Sequence, residues 1–143
     1  MKILLTLCSL LAFTYCAHAQ TGFFLVPDDR DCSHQVTGRD LKQYCITDKP
    51  IIDKSEFKAE GNVQREIQSQ KQYFNIRFTK AGFEKLKVIR EQLPEQKLVL
   101  VINGLAIGEF DRMQPRQVIQ IVFPSDSKDI ETILDALKKS NGG

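Results

Sequence analysis

The chain has 143 residues, with 20 Lys and Arg against 18 Asp and Glu and a formal net charge of +2. That length is one domain's worth, and near-neutral charge with interspersed signs gives no electrostatic basis for binding nucleic acid. Residues 98–102 are the longest apolar stretch after the N-terminus, far short of the roughly 20 residues that span a bilayer.

Residues 1–19 read as a cleavable export signal. Lys2 supplies the basic start, residues 3–12 are almost unbroken apolar, and Ala17-His18-Ala19 is the small-x-small pattern that precedes a signal-peptidase cut. The expected cut falls between Ala19 and Gln20. Removing 19 of 143 residues leaves 124, takes away Lys2 and lowers the net charge to +1. Cys8 and Cys16 leave with the signal. Cys32 and Cys45 remain, and two cysteines in an oxidising compartment are expected to pair; two free thiols, or a site shared with His34, is the competing reading. The expected location is periplasmic or extracellular.

Residues 20–42 read as an N-terminal arm and 43–143 as the domain proper. In the arm, residues 22–26 suggest an edge strand before Pro27, and residues 28–40 a polar loop with Gly38 as a turn residue. Residues 42–47 alternate and predict a strand, ended by Pro50. Asp53 or Ser55 would cap a short helical turn through Phe57. Residues 62–68 predict an exposed strand, turning at Gln70-Lys71.

Residues 73–78 predict a strand with Phe74, Ile76 and Phe78 on one face and Tyr73, Asn75 and Arg77 on the other. Thr79 is placed to cap a helix over residues 80–92, with Phe83, Leu86, Ile89 and Leu93 as its apolar stripe and Pro94 beyond it. Residues 98–102 are apolar on both faces, so they predict a central, covered strand. Asn103-Gly104 is a hairpin turn between this strand and residues 105–110. Residues 111–116 form a polar loop. Residues 117–123 are a further strand, with Ile119, Ile121 and Phe123 on one face. Ser125 or Asp126 would cap a last helix, whose Ile130, Ile133, Leu134 and Leu137 follow the i, i+3, i+4, i+7 spacing. The fold class is α+β: a mostly antiparallel sheet with two longer helices on one face.

Catalytic chemistry is sparse. His34 is the one histidine left after processing, so any His-dependent triad would have to use it, and Cys32–His34 is the sole thiolate–imidazole combination. Zinc needs three or four compatible ligands, and only Cys32, His34 and Cys45 are available. Asp28, Asp29 and Asp31 lack the glycine and distal glutamate of a calcium loop. No glycine pattern for phosphate is present. The expectation is a protein that is not an enzyme and carries no metal or cofactor.

The order of elements resembles a known family. Residues 73–85 (Tyr73-Phe74-Asn75-Ile76-Arg77-Phe78-Thr79-Lys80-Ala81-Gly82-Phe83-Glu84-Lys85) resemble the strand-into-helix segment in the first periplasmic region of SecD and SecDF protein-export subunits. Residues 98–104 resemble the apolar strand and hairpin that follow there, and residues 44–52 the entry to the head subdomain. The resemblance covers about residues 43–139. It implies a head-like fold. It departs from the family in two respects: residues 20–143 contain no transmembrane stretch, and residues 108–113 (Gly-Glu-Phe-Asp-Arg-Met) replace the family's small-Ala-Pro stretch and glycine-rich loop. What it implies for function is a stand-alone module that binds unfolded or partner polypeptide without the membrane motor. The binding candidates are Tyr73, Asn75 and Arg77 on the outward side of their strand, with Phe110, Arg112 and Met113 in the departing segment; simple solvation or packing under the N-terminal arm is the competing reading. A secreted inhibitor or pro-domain-like protein filling an enzyme cleft is the alternative function.

Overall fold

The structure, a computed structural model, describes residues 20–28, 32 and 34–142. The expected signal segment, with Ala19 on one side of its cut, lies outside the described residues.

The chain runs β1 (Gly22–Leu25), β2 (His34–Thr37), β3 (Gln43–Ile46), β4 (Ile52–Asp53), a 3-10 turn (Lys54–Glu56), β5 (Phe57–Glu66), β6 (Lys71–Phe78), α1 (Lys80–Gln92), β7 (Leu98–Ile102), β8 (Leu105–Phe110), β9 (Val118–Pro124) and α2 (Ile130–Asn141). The named strands pair antiparallel in three sheets, ordered β4-β1-β7-β8, β2-β3 and β5-β6-β9. The α+β class therefore holds.

β7 explains its own sequence. All five of its residues are buried. One side, with Leu98, Leu100 and Ile102, joins the larger core, which takes in Phe23, the inward faces of β6 and β9 and the apolar stripes of both helices. The other side, with Val99 and Val101, meets Phe24, Ala106 and Ile46 in a smaller core that Val36 and Tyr44 of the β2–β3 ribbon cover. A strand with apolar neighbours on both faces has no reason to alternate.

Two expectations for the N-terminal stretch are corrected here. β1 is not an edge: it lies between β4 and β7, pairing Phe23 with Ile52 on one side and with Leu100 on the other. Phe23 and Phe24 are fully buried, one in each core. The 20–42 stretch thus supplies an interior strand. Its polar part also contains a strand, β2, which pairs His34 with Ile46 and Thr37 with Gln43. The even spread of polar residues concealed it, because β2 buries only alternate side chains against a small core. Cys32 and Cys45 are disulfide-bonded, with Cα atoms 5.6 Å apart.

Local capping follows the side-chain chemistry. Asp53 accepts from the Ser55 N–H while Glu56 accepts from the Asp53 N–H, a reciprocal pair that caps the N-terminal end of the 3-10 turn. Thr79 Oγ1 accepts from Gly82 N–H at the start of α1. Gly82 is required by space as well. A Cβ there would lie 2.3 Å from the Glu56 carbonyl oxygen, which already accepts from Thr79 N–H at 2.9 Å. Leu93, expected in the apolar stripe of α1, is instead its exposed C-cap. The cap of α2 also differs: Asp129, not Ser125 or Asp126, is the N-cap residue, and it makes no side-chain cap bond. Its carboxylate is engaged by Arg39.

The Asn103-Gly104 turn has positive φ at both residues, 49° and 79°, as the hairpin predicts. Residues 20 and 21 hold it from outside: Gly104 N–H donates to the Gln20 carbonyl and Asn103 N–H to Thr21 Oγ1, both at 3.0 Å.

Candidate functional site

The six binding candidates fall into two groups. Tyr73, Asn75 and Arg77 share the outer face of the three-stranded sheet, while Gln72, Phe74, Ile76 and Phe78 are buried beneath it. β6 is the middle strand of that sheet, however, with β5 on one side and β9 on the other. Its backbone is therefore spent in ladders, and an extended chain cannot pair with it. On the outer face the register sets Tyr73 beside Val122, Asn75 beside Gln120 and Arg77 beside Val118. Across on β5, Glu60 draws Arg77 into a 2.8 Å ion pair.

In the second group, Phe110 ends β8 and Met113 follows in the loop. Both are half-buried against the larger core, and the Phe110 ring lies 6.2 Å from that of Phe23. Arg112 turns away, its backbone at φ 49°, and pairs with Glu95 at 2.7 Å.

The fold brings Asn75, Phe110 and Met113 to one place. They line an open groove of about 470 Å³ together with Gln114, Arg116 and Gln120. Tyr73, Arg77 and Arg112 are not among its lining residues. Asn75 Oδ1 is buried and has no hydrogen-bond partner among the described residues.

The groove abuts the outer edge of β9, which pairs with no further strand among the described residues; local spacing in the sequence does not reveal this edge. Phe78 N–H donates to the Gln117 carbonyl at 2.9 Å and Ser125 N–H to the Gln70 carbonyl at 3.0 Å, so the odd-numbered residues from 117 to 125 face β6. The backbone N–H and C=O groups of Val118, Gln120 and Val122 consequently point away from the sheet. Their side chains lie on the outer face, with Val122 50% exposed. One signal was present in the sequence: no charged residue occurs between Arg116 and Asp126.

A second cavity, of about 820 Å³, lies between the β5–β6 turn and the start of α2, lined among others by Arg65, Ile67, Lys71, Lys128 and Glu131. Its charges are mixed. On its wall, the buried Gln72 donates from Nε2 to the carbonyls of Pro124, Ser125 and Ser127 at 2.9–3.2 Å, locking the β9–α2 connection. That is a structural arrangement. Elsewhere, Cys32 is committed to its disulfide and so offers His34 no thiolate. Among the described residues no group of three His, Cys, Asp or Glu is placed to hold a metal ion. Tyr44 donates to Asp40 at 2.7 Å, and this bond to a carboxylate pushes the phenol up to about 12.

No family model matches the chain, and no curated protein matches it in sequence. In structure it is a SecDF-like α+β domain. It is similar to a solved SecDF, described as a membrane component that enhances protein export, with a TM-score of 0.55 and 13% identity over 85% of this chain. The match spans 64% of the length of that SecDF chain. No helix among the described residues is long and apolar enough to cross a membrane.

Proposed function

We propose that the chain is a non-enzymatic module that binds extended polypeptide outside the cytoplasmic membrane. The observation that carries this reading is the free β9 edge running beside the groove of Asn75, Phe110 and Met113. An incoming strand bonds main chain to main chain, which asks little of its sequence, and the groove accepts one of its side chains. Met113 and Phe110 suit varied apolar partners. Tyr73 and Arg77 contact the same strand from the outer face.

The SecDF-like fold supports a role in protein export, and the Cys32–Cys45 disulfide supports an oxidising compartment. Catalytic groups, metal and cofactor have no part in this reading.

The test is binding of a reduced, carboxymethylated polypeptide, followed by fluorescence anisotropy. Saturable binding, weakened several-fold by Met113→Ala and by Tyr73→Ala, is expected. Absence of binding by the wild-type protein would put the alternative first, a secreted inhibitor that presents this edge to an enzyme cleft.

A further inference from the structure

The β9 edge differs from the other long sheet edges of the molecule. Exposed strand edges are templates for unwanted pairing, and proteins guard them with charges, bulges, short strands or covering segments. β4 has two residues. β5 carries Lys58, Glu60, Arg65 and Glu66, a positive-φ Gly61 and a register shift between Glu60 and Gln64. β8 is capped by Gly38, which bridges to Ala106, and by Arg39 N–H, which donates to the Ala106 carbonyl at 3.0 Å. Among the described residues, β9 from Gln117 to Phe123 has none of these devices.

We infer that a second copy of this chain covers the edge: β9 pairs antiparallel with β9 of the partner about a two-fold axis at Gln120, closing a six-stranded sheet. The residues that offer free backbone groups are Val118, Gln120 and Val122. A two-fold at Gln120 sets Gln120 against itself and Val118 against Val122, so every outward N–H and C=O of the three meets its complement. The pattern is self-complementary at the side chains too, apolar against apolar with an amide pair at the centre. Pro124, which has no N–H, ends the ladder on both sides. Beyond it, Arg116 of one copy lies diagonally across from Asp126 of the other, and neither makes an ion pair within its own chain among the described residues. Opposite charges at the two ends favour the antiparallel arrangement and bring each Arg116 to an Asp126.

This inference concerns the same edge as the proposed function. It adds that the edge is self-occupied until a polypeptide displaces the partner. The experiment is sedimentation velocity over a concentration series, combined with cysteine scanning under mild oxidation. Wild type should shift from monomer to dimer as concentration rises, and Val122→Lys should remain monomeric, with the melting temperature that wild type shows at concentrations where it too is monomeric. Residues paired across such a ladder have Cα atoms about 5.5 Å apart, within disulfide reach. Gln120→Cys alone should therefore cross-link into a dimer, as should an equal mixture of Val118→Cys and Val122→Cys. Val118→Cys alone should not, because its two copies lie about 13 Å apart at strand rise. A monomer at every concentration, or cross-linking by Val118→Cys alone, overturns the inference. A strict monomer that binds polypeptide overturns it while leaving the proposed function standing; a dimer that binds none does the reverse.

Discussion

Arg39 reaches from the tip of the β2–β3 ribbon to Asp129 at the start of α2, donating to both carboxylate oxygens at 2.7 and 2.8 Å. Its guanidinium also sits 4.5 Å from the centre of the Phe123 ring. One side chain thus ties the ribbon over the smaller core to the helix and strand of the larger one.

Arg39→Gln should lower stability by about 1–2 kcal/mol, since a bidentate surface pair and an accompanying cation–π contact each contribute on the order of 1 kcal/mol or less. Its hydrogen bonds hold the Asp129 carboxyl below its ordinary value. A carboxyl lowered in the folded state stabilises above its unfolded pKa, and that stability disappears as pH falls through the folded value. The gap between wild type and Arg39→Gln in urea unfolding should be full at pH 7 and should shrink below about pH 4. A gap that stays constant into acid would refute the role of this pair.

Tyr44 gives the opposite limb. Its phenol is pushed up to about 12, chiefly by the hydrogen bond to Asp40. A raised group stabilises fully below its unfolded value, near 10, and loses that contribution as pH rises through 12. Tyr44→Phe should therefore lose less stability than wild type between pH 10 and 12 in thermal melts, with a spectrophotometric titration of Tyr44 itself as the direct check.

Gly82→Ala should destabilise, against the helix propensity that favours alanine by about 1 kcal/mol. The new methyl would sit 2.3 Å from the Glu56 carbonyl oxygen, and backbone cannot yield as a side-chain end does. A loss of about 1–3 kcal/mol is expected. Equal or higher melting temperature would show that α1 and the 3-10 turn are not packed this closely.

Gly104→Val tests the β7–β8 turn. At φ 79° a β-branched residue is strained by about 1–3 kcal/mol, and the Gln20 and Thr21 contacts that depend on this turn would shift with it. Chemical denaturation gives the measurement, and wild-type behaviour would contradict the turn geometry.

Much of the α+β order was legible because its signals are local. Thr79, the 80–92 helix, the two faces of β6 and the Asn103-Gly104 turn each rest on spacing within a few residues. What was not legible depends on distant partners. Nothing in Gly-Phe-Phe-Leu announces that β1 has a neighbour on each side, because its neighbours come from residues 52–53 and 98–101. The Asp129 cap is missed for the same reason: its carboxylate is drawn to Arg39, 90 residues away in sequence. At the candidate site, residue types pointed to Phe110 and Met113, and side-chain alternation to Asn75. Only pairing order reveals that β6 is interior and that β9 is the open edge beside them.

The position of β1 also constrains the order in which the protein is assembled. Chains are made, and threaded across membranes, from the N-terminus, so Phe23 and Phe24 emerge well before their β7 partners Leu100 and Val99. Until residues 98–101 follow, β1 can be held only from the side of residues 47–53, by the Thr47 and Ile51 N–H groups and by β4. The four-stranded sheet cannot close gradually behind the growing chain; it forms late, around a waiting strand. Contacts so far apart in sequence slow folding. The interval in which Phe24 has no strand partner therefore has a minimum set by the speed of synthesis or translocation, to which the domain's own folding time is added.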